Sequence, residues 1–341
     1  MKQGLLRYDP KDGVRKNIGD YIQSLAARQF LGPDYVLVER EQLHHYNGEP
    51  MKLIMNAWWM HYPENWPPSE RIDPLFVSFH ITPKVAERML HEKSVAYLKR
   101  YQPIGCRDKG TQALLSQHGI ESYFSGCLTL TLGLSYQAAP KSDRVIIINP
   151  QFNRPSLKKP ANFLRALWSC VGKYSLLKAI SKKLYLSDSF ISILKTTYFY
   201  NAYSKKFDDQ LLVDAEYFTH GVDVKDFQSE QERFDYADHL LKEYSTASLV
   251  ITSRLHAALP CVAIGVPTIF IYGEDIPRSA GRFDGLLEHV NCLQYKNKEW
   301  VGLNGFQVEG KITQGKVIPN KNTHQPLADQ MAATVRNFLS R

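Results

Sequence analysis

The sequence has little with which to build a covalent or metal framework. Its five cysteines, Cys106, Cys127, Cys170, Cys261 and Cys292, are odd in number, scattered, and form no Cys-x-x-Cys pair. That argues against zinc or disulfide scaffolds and favours a reducing compartment. The adjacent His44 and His45 lack partners at a ligand spacing, so no metal is expected. No apolar run near the start is long enough for a signal peptide. Residues 122–140 and 255–273 each run 19 residues without Asp, Glu, Lys or Arg. Neither reads as a membrane span. The first alternates polar and apolar side chains as a strand does, and the second is cut by Pro260, Gly265 and Pro267. No internal repeat is present. The expectation is a cytoplasmic protein, peripheral to a membrane at most, with no cofactor and no nucleic-acid partner.

Acidic residues are missing from one place in particular. Between residues 151 and 206 there are eleven Lys or Arg and a single acid, Asp188. The net charge of the chain is +8, so this segment carries the whole excess and the remainder is close to neutral. A local basic patch points to a phosphate-rich partner or an anionic membrane surface. With 341 residues, 44% of them hydrophobic, the chain is long enough for two cores.

Hydrophobic patterning sketches an α/β protein. Residues 17–30 read as a loop entering an amphipathic helix. Residues 51–56, 75–80 and 127–134 read as strands, with helices around 85–98 and 112–118. A second half opens with Val145-Ile146-Ile147-Ile148, the continuous apolar run of a buried parallel strand. After the basic segment come a strand at 211–218, a helix at 230–244, a strand at 249–253, a helix at 254–264 and a strand at 268–273. That β-α-β-α-β order implies a doubly wound sheet. The expected boundary lies near residues 138–142, giving two α/β halves that face a cleft. The units are then 1–139, 140–297 with the insertion 151–206, and a tail at 298–341 ending in a helix.

The most informative stretch is residues 248–273. A strand ends at Thr252 and Ser253, and a helix then begins at Arg254. Ligands of open α/β sheets bind beyond the C-terminal ends of the strands, where free N–H groups and the helix dipole attract anions. Arg254 offers a fixed fork for carboxylate or phosphate. His256 can exchange a proton near neutral pH, which makes it a candidate general acid. Ser253 can equally well only cap the helix.

Arg254-Leu255-His256, followed by an apolar helix and Gly265-Val266-Pro267-Thr268, resembles the C-terminal signature of the polysaccharide pyruvyl transferase family. Asn17-Ile18-Gly19-Asp20 resembles that family's opening motif. Arg107-Asp108-Lys109-Gly110-Thr111 resembles its central element, and His220 stands where members often carry a histidine after a strand. The resemblance spans roughly residues 14–275. It implies two Rossmann-like doubly wound domains facing a cleft, as in GT-B glycosyltransferases. It implies phosphoenolpyruvate as donor, a sugar diol as acceptor, a cyclic ketal as product and no metal. Arg107, Arg254, Leu255 and His256 then hold the donor or act on it, with Thr252 and Ser253 beside them.

Other residues are candidates from their setting. Asp20 can bind acceptor hydroxyls, act as a base or cap its helix. In the loop 56–66, Asn56, Trp58, Trp59, Trp66, His61 and Glu64 can stack on sugars or hydrogen-bond hydroxyls, with Gly19 and His80 also on the acceptor side. Between 160 and 184, Leu164, Leu167, Trp168, Val171, Tyr174, Leu177, Ile180 and Leu184 recur at helical spacing. Arg165, Lys173, Lys178, Lys182 and Lys183 surround them. That pattern fits a membrane-surface helix, or a helix packed on the second half. The resemblance implies that the acceptor is a polysaccharide sugar, in capsule or exopolysaccharide synthesis, with a polyprenyl carrier one form it can take. Two rivals remain open at this point: a nucleotide-sugar glycosyltransferase of the same fold, and a non-catalytic carbohydrate- or membrane-binding module.

Overall fold

A computed structural model describes residues 1–8, 15–141, 143–273 and 281–341. The protein is a mixed α/β structure built on two sheets. The first has four parallel strands in the order Val36–Glu39, Lys2–Arg7, Met51–Ile54, Ile72–Leu75. Short parallel pairings carry it on: Trp58 with His80, Phe79 with Cys106, and Ile104–Cys106 with Ser122–Phe124. The second sheet runs Glu216–Phe218, Val145–Ile148, Leu249–Thr252, Thr268–Tyr272, Asn291–Lys296, Glu299–Leu303, parallel except for its last pair. An antiparallel ribbon, Arg15–Asn17 with Gly221–Asp223, ties the two halves together.

The unbroken apolar strand Val145–Ile148 is explained by what covers it. Ile146 and Ile148 enter a core shared with the first half, and Val145 and Ile147 enter a separate core on the other face. That second core is made with the basic segment. Helices Pro160–Cys170, Tyr174–Leu184 and Phe190–Tyr203 place Ala166, Cys170, Leu177, Ile180, Ile193 and Phe199 against the sheet. The segment is therefore a structural layer, since an uncovered parallel sheet would leave a large apolar face in water. All five cysteines are buried, and none of them is in a disulfide. Among the described residues, no helix is long and apolar enough to cross a membrane.

Several local expectations change. Residues 128–134 form a 3-10 helix instead of a strand. Their alternation does not separate two environments, because Thr129 and Thr131 are as buried as Leu128, Leu130 and Leu132. The hydroxyls are satisfied locally: Thr131 donates to Leu128 O at 2.7 Å, and Thr129 donates to Cys127 Sγ at 3.1 Å. Such local bonds compete with sheet pairing. The expected strand 211–218 is half helix, Asp209–Asp214, capped by Asp208, before Glu216–Phe218 pairs. The run 75–80 splits at Ser78, whose φ is 58°. The central strand Lys2–Arg7 was not anticipated; its Lys-Gln-Gly start gives no alternation to read. The C-terminal segment is no free tail. Glu299–Leu303 closes the second sheet, and helix Gln325–Ser340 returns to the first half, where Lys52 Nζ donates to Phe338 O at 2.7 Å.

Candidate active site

A cavity of about 810 Å³ lies where the two halves meet, lined by residues of both. From the first half, strand Ile104–Cys106 ends by delivering Arg107 and Asp108 beneath it. Arg107 is held from behind, its backbone N–H donating to Phe79 O at 2.9 Å. Its side chain is only 1% exposed, yet among the described residues Nε and Nη2 have no hydrogen-bond partner; Asp108 Oδ2 is 3.6 Å from Nε. A buried cation with unfilled donors is expensive unless a ligand supplies the acceptors. Asp108 caps helix Lys109–Gln117, accepting from Thr111 N at 2.8 Å and Thr111 Oγ1 at 3.0 Å.

His80 enters beside this cap. Its Nδ1 lies 2.7 Å from Asp108 Oδ2 and 3.0 Å from Thr111 Oγ1. The Thr111 hydroxyl donates to Asp108, so it accepts from Nδ1–H. That fixes the tautomer and leaves the lone pair on Nε2. Burial, followed by Arg107, pushes His80 down to about 4, so the ring is neutral at pH 7.

From the second half, strand Leu249–Thr252 leads to Ser253, Arg254, Leu255 and His256, all of which line the cavity. Thr252 Oγ1 accepts from Arg254 N at 3.0 Å, and Ser253 Oγ donates to Asn149 O at 2.6 Å. Thr252 and Ser253 thus shape the turn from which helix Leu255–Ile264 starts. Among the described residues, His256 is buried with Nε2 unpartnered, and burial, then Arg107 and Arg282, hold it well below its usual range. His220 also lines the cavity; Nε2 meets Tyr244 OH at 2.9 Å, Nδ1 has no partner among the described residues, and burial takes it down to about 3.

A family model described as polysaccharide pyruvyl transferase matches residues 17–275. The chain belongs to that family. No curated protein matches it.

In this transferase the opening motif works by close approach. Gly19 starts helix Gly19–Arg28, and a Cβ there would sit 3.1 Å from His256 Cβ. Gly19 is thus a packing residue that lets the helix abut His256, and it is not among the residues lining the cavity. Asp20 follows it into the cavity, where it accepts from Gln23 Nε2 at 3.2 Å; burial raises it, opposed by Arg40. Trp58 also lines the cavity, with the Arg40 guanidinium 4.4 Å over its ring.

Other aromatic-loop candidates do not reach the cleft. Trp59 is fully buried against Trp66 and Phe79, and Trp66 joins the same cluster. Asn56 is buried and donates to Gln23 O at 2.8 Å, bracing the helix that carries Asp20. The loop folds inward because its indoles have more area to bury than its short strand can leave outside. His61 is exposed, edge-on to Trp58 at 4.7 Å, its backbone N–H held by Glu41; Glu64 pairs with Arg88 at 2.7 Å.

Arg282 was missed. It lines the cavity from the segment after residues 274–280, which lie outside the described residues. Two glycines bring it there. A Cβ on Gly110 would lie 2.8 Å from Gly281 Cα, and Gly281 has φ 61°. Lys109 N also donates to Asp284 O at 3.0 Å. No motif in sequence marks a lone arginine delivered by a glycine contact. Asn149 was missed too: in a left-handed conformation, φ 46°, it accepts from His220 N at 2.7 Å and so positions that histidine.

Proposed function

We propose that the cleft binds phosphoenolpyruvate and transfers its pyruvyl group to two hydroxyls of a polysaccharide sugar as a cyclic ketal, in capsule or exopolysaccharide synthesis. The observation that carries this reading is the buried Arg107 guanidinium, two of its donors unfilled, in one cavity with Arg254 and Arg282. A small ligand with a carboxylate and a phosphate matches three guanidinium groups. A neutral sugar alone would leave them uncompensated. The arginines supply the countercharge, so the proposed reaction needs no metal and no cofactor.

His256 delivers a proton to the methylene carbon C3, and positive character develops at C2. One sugar hydroxyl attacks C2 while its proton passes to His80 Nε2. The C2–O bond to phosphate breaks, and the second hydroxyl closes the ketal, its proton leaving with the phosphate. His256 is neutral in the empty cleft. A bound multivalent anion offsets Arg107 and Arg282, the two charges that most depress it, and raises its proton affinity. His220 and Asp20 stand nearby as the alternative acid and acceptor-side base, and Trp58 offers an aromatic face to the sugar. A polyprenyl-linked acceptor would bring the enzyme to a membrane face. The test is incubation with phosphoenolpyruvate and candidate sugars, free and lipid-linked, in the presence of a chelator. Phosphate release with a pyruvyl mass gain supports the proposal; turnover of nucleotide sugars in its place overturns it.

A further inference from the structure

We propose that the helical layer of residues 151–206 docks on an anionic phospholipid surface through the outer face of helix Pro160–Cys170. The helix is divided. Ala166 and Cys170 point to the sheet, and Leu164, Leu167, Trp168 and Val171 follow at i, i+3, i+4 and i+7, forming one outward stripe. Leu164 is 62% exposed, Trp168 80% and Val171 69%. A tryptophan and three aliphatic side chains aligned in water mark an interaction face.

The cations around the stripe are not equivalent. Lys178 and Lys182 share Asp188, each at 3.7 Å. Lys183 donates to the carbonyls of Val213, Asp214 and Ala215, ending the helix before the edge strand. Lys205 and Lys206 donate to Lys298 O and to Val308 and Gly310 O. Those five are occupied in holding the layer together. Arg154, Lys158, Lys159, Arg165 and Lys195 are exposed, and the segment has no second acid to meet them.

Three of these, Arg154, Lys158 and Lys195, line a second cavity of about 600 Å³ together with Phe163, Tyr185 and Tyr198. Cations and aromatic rings lining one cavity suit a headgroup phosphate with the start of an acyl chain. Leu186 and Phe190 are exposed at the turn next to it. The occupant follows from charge and apolarity together. A second copy of this chain would bring two identical cationic rims face to face. Inorganic phosphate has no use for the stripe. An anionic bilayer meets both features at once.

The inference is independent of the donor chemistry, and its test uses the whole protein. Flotation is measured with vesicles of phosphatidylcholine and phosphatidylglycerol in equal parts, and with phosphatidylcholine alone. The wild type is expected to float with the anionic vesicles at low salt and to be released at high salt. Trp168→Ser combined with Val171→Ser should weaken partitioning about tenfold or more. Arg154→Gln, Lys158→Gln and Lys195→Gln together should weaken it about a hundredfold, from the contribution of each cation near a charged surface. Circular dichroism and thermal unfolding check that both variants remain folded. Three results overturn the proposal: no flotation of the wild type at low salt, release by inorganic phosphate at constant ionic strength, or wild-type affinity in the Trp168/Val171 variant. Sedimentation showing a dimer that this variant dissociates would assign the face to a second copy and overturn it as well.

Discussion

The cleft and the outer helical layer both gather positive charge, and they differ in which groups are left without a partner. In the cleft, among the described residues, buried polar groups are unfilled: Arg107 has two donors without a partner, and His256 and His220 each keep a bare ring nitrogen. In the layer the charges are solvated and the apolar groups are unfilled, Trp168 above all. Charge alone would describe the two regions alike. Burial separates them. An enclosed cation needs directional acceptors on a small anion, whereas exposed cations around an apolar stripe suit a broad surface. One region should therefore respond to pH and to single-atom changes, and the other to salt.

The hardest blow to the cleft should come from His256→Ala. Loss of a positioned general acid typically costs about 10²–10⁴-fold in turnover. Calorimetry should still find phosphoenolpyruvate binding. Normal turnover in this variant would move the role to His220. Next is Arg254→Lys, which keeps the charge and loses the planar fork. Donor affinity should fall about tenfold to a hundredfold, because a hydrogen bond to a charged group contributes about 1.5–3 kcal/mol. Unchanged affinity would leave the donor to Arg107 and Arg282.

A smaller effect concerns pH. The folded-state values of His80, about 4, and His220, about 3, lie below the ordinary 6.5, and His256 is shifted the same way. In that window the unfolded chain binds more protons than the folded one. Stability present above about pH 6.5 should be lost as pH falls toward about 4. Asp20, raised by burial, acts in the opposite sense, but one carboxyl opposes three histidines. Thermal unfolding across this range checks the direction, and a flat profile would contradict the buried, neutral histidines. Phosphoenolpyruvate should bind with proton uptake, seen as a dependence of the calorimetric heat on buffer. The smallest effect belongs to the layer. Trp168→Ser should shift unfolding stability by no more than about 0.5 kcal/mol, since the side chain is not packed. A larger loss would mean that the stripe is covered within the folded protein.

Legibility followed the kind of signal each residue carried. The strand-to-helix turn at Arg254, with its histidine two residues on, was readable because a strand end and a helix start are local events. The element at residues 107–111 was readable only through the family resemblance, and its role as a helix cap came from the structure. The aromatic loop misled. Trp58 and Trp59 are neighbours in sequence on opposite sides of a strand, so one lines the cleft and the other is core. The amphipathic pattern at 160–184 was genuine as a helix, but it held two faces. Leu177 and Ile180 turn inward, whereas Leu164 and Trp168 turn outward, because the chain breaks at Gly172 between two helices.

By itself the sequence determined the α/β alternation, the family motifs in their order, and the concentration of charge in one segment, since each is written in local composition and period. Only the tertiary structure decided which charges face one another. Arg107 lies well over a hundred residues before Arg254 and Arg282, and the three converge through sheet closure, the contact of Gly110 with Gly281, and the hold of Asn149 on His220. Their convergence is a property of packing, which fixes distances that no spacing along the chain encodes.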